Sequence, residues 1–217
     1  MSELLLSPAE ARVVAALVEK SITTPPYYPM TVNGLMAACN QKTVRSPVMS
    51  LSEGEVGSAL LSLEERRLVA RDSFGGRAQK WRHQFMQQML LKPATQAVLV
   101  TLMLRGPQTP SELRSNASAL GGPTDADALA AVLNDLADRA HPLVSLLPRA
   151  PGQKESRYAH TLCGEVSATE WSAPPTAAAR ASAPETASLE ARIAALEARV
   201  AELESRLDDG GGSQGLS

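Results

Sequence analysis

The residues with chemistry to offer are mostly basic. Gln41, Lys42 and Arg45 sit in one polar run, Asn40-Gln-Lys-Thr-Val-Arg-Ser-Pro-Val-Met49. Arg71, Arg77, Lys80 and Arg82 cluster around Gly75-Gly76, and Arg149, Lys154 and Arg157 cluster around Pro151-Gly152. Cations on loops and hairpin tips can hold phosphate oxygens without reading base sequence. They can equally hold an acidic protein partner, or simply be solvated. The 40–49 run has its own alternative: a structural loop whose Pro47 fixes the approach to the next helix.

Little else could do chemistry. His83, His141 and His160 lie in three different segments. Cys39 and Cys163 are far apart and have no CxxC or His-rich neighbour, so each reads as a small buried hydrophobe. No GxSxG, phosphate-binding glycine loop or HExxH appears. The expectation is a protein that is not an enzyme, with no cofactor and no metal site.

Composition narrows the class further. The chain has 217 residues, a length suited to one or two domains. Aromatics are only 3%, so the core must be built from Leu, Val, Ala and Met. The formal net charge of −2 hides two unlike parts. Residues 1–163 carry 17 basic and 14 acidic residues, whereas residues 164–217 carry 4 and 9. A mildly basic body thus precedes an acidic tail, and the body is compatible with weak phosphate contact. The N-terminus lacks a basic region and a long apolar run, which argues against a signal peptide. The most apolar stretch, residues 97–104, is too short for a membrane span. A soluble cytoplasmic protein is expected.

The elements that must position these residues repeat. Ser7-Pro-Ala-Glu10 is a capping box, followed by Val13, Val14, Leu17 and Val18 at helical spacing. Thr23-Thr-Pro25 ends that helix. A second helix should hold Val32, Leu35, Met36 and Cys39. A third starts at Ser52-Glu-Gly-Glu55 and buries Val56, Leu60 and Leu63. Residues 68–72 and 78–83 then form a hairpin. The order recurs with Val98, Leu99 and Leu102, then Thr109-Pro-Ser-Glu112, then a helix from Thr124-Asp-Ala-Asp127 burying Leu129, Val132, Leu133 and Leu136. A second hairpin uses Leu143-Val144 and Arg157–His160. Three helices and a hairpin, twice, is the order of tandem winged helix-turn-helix domains in a mainly α, α+β chain. An unrelated α+β domain of similar order is the alternative. The expected layout is residues 1–86, residues 87–163, an Ala/Pro/Ser-rich linker at 164–187, a short coiled coil at 188–209 and a disordered tail at 210–217.

A winged helix usually reads DNA with its third helix. The exposed positions here are Glu53, Gly57, Ser58, Ser62 and Glu65 in one copy. In the other they are Asp127, Ala130, Ala131, Asn134, Asp135 and Asp138. Carboxylates repel phosphates, and small residues cannot reach base edges. This argues against the usual docking mode and leaves the wings as the cationic surface.

At this point the residues resemble a known family. Glu19-Lys20, Thr23-Thr-Pro25, Tyr28-Pro29, Asn33-Gly34, the run from Ala38 to Thr43, Arg45 and Pro47-Val-Met49 are similar to the bacterial YceH family. So are Leu104-Arg-Gly106, Gln108-Thr-Pro110, Glu112-Leu-Arg114, Glu155-Ser-Arg-Tyr158 and His160. The resemblance covers about residues 5–164. It implies tandem winged helices and no particular activity.

The tail carries a strict heptad seam. Ile193, Val200 and Leu207 take a positions, and Leu189, Leu196 and Leu203 take d. The g positions are Arg192, Arg199 and Arg206; in a parallel homodimer Arg192 faces Glu197 and Arg199 faces Glu204 at e′, whereas an antiparallel pair would place like charges together. The alternative is a helix folded back on its own body. Function is then expected to be DNA association or regulation through basic wings. The other reading is a protein–protein adaptor that uses the same fold without binding DNA.

Overall fold

A computed structural model describes residues 4–72, 78–149 and 155–164, all of which belong to one compact unit, residues 1–172. Arg77 and Lys154 lie outside the described residues, as do the heptad seam of Leu189, Ile193, Leu196, Val200, Leu203 and Leu207 and the linker and tail expected around it.

The first half begins with α1, Pro8–Thr23. Ser7 and Glu10 close its capping box, and the helix ends before Thr24-Pro25, where proline disfavours helical backbone at the preceding residue. The two-residue β1, Met30–Thr31, leads into α2, Val32–Cys39, whose N-cap is Thr31. Then come α3, Glu53–Glu65, capped by Ser52, and the hairpin β2, Val69–Asp72, and β3, Lys80–His83. β1 adds to this hairpin on the β3 side, with Met30 opposite Trp81. A short α4, Phe85–Gln88, leads to the second half.

The second half repeats the order. α5, Pro93–Arg105, ends at Gly106 in positive φ. α6, Pro110–Ala117, is held by the capping box of Thr109 and Glu112. α7, Ala126–Ala137, is capped by Asp125, one residue after the Thr124 at which the sequence expectation starts it. β4, Val144–Leu147, pairs antiparallel with β5, Arg157–His160. Gln108 and Tyr158 exchange both backbone hydrogen bonds, at 3.0 and 2.8 Å. This single pair stands where β1 meets β3 in the first half. Two residues are too few to show alternation, so neither outer strand is visible in the sequence.

The fold is therefore mixed α+β, with seven α-helices and two small antiparallel sheets among the described residues. One apolar core runs through both halves. α1 is buried on every side from Glu10 to Glu19, and α5 from Thr95 to Leu104, because each packs on helices of its own half and on the other. Polar side chains buried on these helices, such as Arg12 and Glu19 of α1, therefore need partners within the protein. The boundary at residues 86/87 divides a repeated sequence order, while the core crosses it. Backbone bonds also cross: Leu6 N–H donates to Leu162 at 2.7 Å, and Ser46 N–H to Leu104 at 2.8 Å.

One turn is unusually tight. A Cβ on Gly122 would lie 2.6 Å from the Ala117 Cβ and 2.8 Å from the Ala117 carbonyl oxygen. Gly122→Ala is expected to cost about 1–3 kcal/mol by forcing the end of α6 to move. Chemical denaturation reads this directly, and an unchanged midpoint would contradict the packing described.

Candidate functional site

Arg45 is not a surface contact, which corrects the sequence expectation. Its side chain is fully buried. The guanidinium grips both oxygens of Glu19, at 3.0 and 2.5 Å, and donates to the Ala38 carbonyl at 3.0 and 3.2 Å. Arg12, also buried, donates to Cys39 O at 3.2 Å and Pro47 O at 2.8 Å. The two arginines satisfy carbonyls left open at the end of α2, where the helix dipole favours cations. Asn40 closes the loop by bonding Leu51 in both directions at 2.8 Å. The 40–49 run is thus tied down at Asn40, Arg45 and Pro47. Gln41 is half-buried, and Lys42 is exposed.

The described hairpin cations are largely engaged. Arg71 pairs with Glu64 at 3.0 Å and lies 5.2 Å from the Trp81 ring centre. Arg82 is 3.9 Å from Asp72. Arg157 pairs with Glu112 at 2.7 Å and donates to Pro107 O at 3.1 Å. Lys80 and Arg149 are exposed. On α7, Asp127, Ala130, Ala131, Asn134, Asp135 and Asp138 are all exposed, in agreement with the sequence reading. On α3, Gly57 and Ser62 are only half-exposed, and Leu61, overlooked in the sequence, is 49% exposed.

The thiols differ from one another. Cys39 is fully buried, and burial pushes its thiol up to about 12, which leaves it unreactive at neutral pH. Cys163 is exposed, against the expectation of a buried hydrophobe, because it follows β5 in a turn. No three His, Cys, Asp or Glu side chains among the described residues are placed to hold a metal ion. No described helix is long and apolar enough to cross a membrane.

Two concavities stand out. The first is a groove of about 630 Å³ between α6, α7 and the second hairpin. Leu129 and Leu133 of α7, Leu146 of β4 and Tyr158 of β5 make its apolar floor, and Arg114, Arg149 and Glu155 stand at its edge. Leu146 is 57% exposed, although it lies within an apolar strand. The sequence hides this, since Leu143-Val-Ser-Leu-Leu147 has no clear alternation. Neither Arg114 nor Arg149 makes an ion pair with a described residue.

The second is a polar cleft of about 360 Å³ where the halves meet. Arg45 and Ser46 come from the first half, and Arg105, Gln108, Glu112, Asn116 and Arg157 from the second. The stretches around residues 40–49, 104–114 and 155–158, distant in sequence, converge there. Arg105 attracts no attention in the sequence, because a basic residue in a last helical turn is ordinary.

Residues 6–153 match a protein family described as "Protein of unknown function, DUF480". The chain belongs to that family. It is 54% identical over 160 residues to the UPF0502 protein azo0627 of Azoarcus sp. (strain BH72), covering 73% of this chain and 71% of the relative. It is 47% identical over 178 residues to the UPF0502 protein GSU0233 of Geobacter sulfurreducens, covering 81% of each. A UPF0502 protein of Geobacter metallireducens is 44% identical over 196 residues, covering 88% of this chain and 90% of the relative. These relatives are bacterial, and the family description gives no activity.

Proposed function

We propose that this DUF480 protein is a non-enzymatic adaptor built on two winged helix-turn-helix units. In this reading the YceH resemblance points to the same family. The second unit takes a segment of a protein partner in the groove between α6, α7 and β4. The observation that carries the reading is the exposed apolar floor around Leu146, beside an α7 whose outer face is acidic. The occupant is an apolar peptide segment flanked by carboxylates, which Arg114 and Arg149 would pair. Exposed apolar patches rimmed by polar residues commonly mark protein contacts.

Leu146→Asp tests it. The tagged chain, purified from its source cells, should carry a stoichiometric protein partner that the variant releases. The melting temperature should scarcely move, because an exposed position contributes little to stability. A partner retained by Leu146→Asp would reject the groove as its site.

DNA association is the weaker reading, favoured by the exposed Lys42, Lys80 and Arg149 and the half-exposed Arg71 and Arg82 side chains. It requires binding to duplex DNA that weakens with salt. The seam from Leu189 to Leu207 is read as a parallel homodimer contact in a cytoplasmic protein. Deleting residues 188–217 is expected to halve the mass seen by light scattering, and an unchanged mass would reject that contact.

A further inference from the structure

We propose that the cleft between the halves binds a small phosphate-bearing anion, with Arg105 as its principal ligand. The inference is independent of the groove and of any protein partner.

Three arginines line the cleft. Two of them already hold an oxyanion: Arg45 has the Glu19 carboxylate, and Arg157 has that of Glu112. Arg105 has none. It makes no hydrogen bond or ion pair with a described residue, yet it is only partly exposed. It does not cap its own helix, because none of the last carbonyls of α5 accepts from its side chain. Leu102 O accepts from Gly106 N–H at 2.8 Å, Leu104 O from Ser46 N–H at 2.8 Å, and Gly106 O from the Gln108 amide at 3.3 Å. Burial pushes the Arg105 guanidinium somewhat below its usual range, with Glu19 opposing this and Arg45 adding to it, and the group stays charged at neutral pH. A partly desolvated guanidinium with no carboxylate in hydrogen-bonding contact gains most from an oxyanion, which its planar fork can hold through two parallel bonds.

The surroundings suit such a ligand. Ser46 and Asn116 line the same cleft; the Asn116 amide donates one N–H to Gln108 Oε1 at 2.6 Å, and its second N–H and the Ser46 hydroxyl can donate to a ligand. Glu112 is the one carboxylate among the described lining residues. The space of about 360 Å³ exceeds a bare phosphate and admits a small phosphomonoester. Phosphate is favoured over a carboxylate because it brings more oxygens and greater charge to a net positive cleft.

Calorimetric titration of the full chain at constant ionic strength tests this, with inorganic phosphate in one arm, AMP in a second and chloride as the blank. Saturable binding is expected in at least one phosphate arm. Tighter binding of AMP would identify a phosphomonoester, and equal binding would identify phosphate alone as the ligand. Arg105→Gln should weaken binding about 10- to 100-fold, the range for a lost hydrogen bond to a charged group. Glu112→Gln should strengthen it, because the cleft loses its carboxylate while glutamine preserves the capping box of α6. No saturable binding beyond the chloride blank overturns the proposal, as does an unchanged affinity in Arg105→Gln or a weaker one in Glu112→Gln.

Discussion

Arg45→Met is expected to destabilise the fold by about 3–5 kcal/mol, the range for removing one partner of a buried ion pair. The loss has two sources. Glu19 would keep a buried carboxylate, with Lys20 at 3.4 Å as its one remaining ion-pair contact among the described residues. The carbonyls of Ala38 and Val44 would lose their donor. Against a total stability of about 5–15 kcal/mol for an ordinary domain, this is a large fraction. Arg45→Lys should fall between, since a lysine restores charge but not the fork. The double variant Arg45→Met with Glu19→Leu should recover a good part of the loss, because apolar replacement of a whole buried pair is often near neutral. Urea unfolding of the three variants measures this. A loss below about 1 kcal/mol in Arg45→Met would place the pair with exposed ion pairs and contradict the burial described.

Acid should weaken the protein before its carboxylates protonate. Burial lowers the His160 pKa from an ordinary 6.5 to about 4, and its Nδ1 has no partner within hydrogen-bonding distance. The folded state therefore resists a proton that the unfolded chain accepts. Stability is complete above pH 6.5 and falls as pH drops from 6.5 towards 4. At pH 4.5 the expected loss from His160 alone is about 2–3 kcal/mol. Burial also lowers the His83 pKa, so it acts in the same direction. Glu10 and Glu112 have pKa values below the ordinary 4.5 for a glutamate. In each, burial pulls upward but is outweighed, by hydrogen bonds from Ser62 and Ser7 and by Arg66 for Glu10, and by Thr109 and Arg157 for Glu112. Their contribution fades only as pH falls further. His160→Gln should flatten the slope between pH 6.5 and 4.5. If the variant keeps the wild-type slope there, the histidine is not its source.

Much of this architecture was legible because local signals carried it. Ser7, Ser52 and Thr109 each precede a glutamate at the capping-box spacing, and each starts a helix. The period of Val13, Val14, Leu17 and Val18 marks α1 as amphipathic at least, but its burial on all sides depends on α5, some eighty residues away. Arg45 was misread for a related reason. A loop arginine among Gln, Lys and Thr looks solvated, and only the fold brings Glu19 and the end of α2 around it. Arg105 and Leu146 left no sequence signal, because each is ordinary in its own element and becomes notable only through what the other half or the neighbouring helix leaves open.

Photo-crosslinking tests the adaptor reading most directly. A photoreactive residue at Ser111, on the wall of the groove, samples an occupant without altering the apolar floor. In the source cells it should yield one discrete protein adduct, which disappears when Leu146→Asp is added. Crosslinks to nucleic acid alone, or a protein adduct that Leu146→Asp leaves intact, would contradict the account.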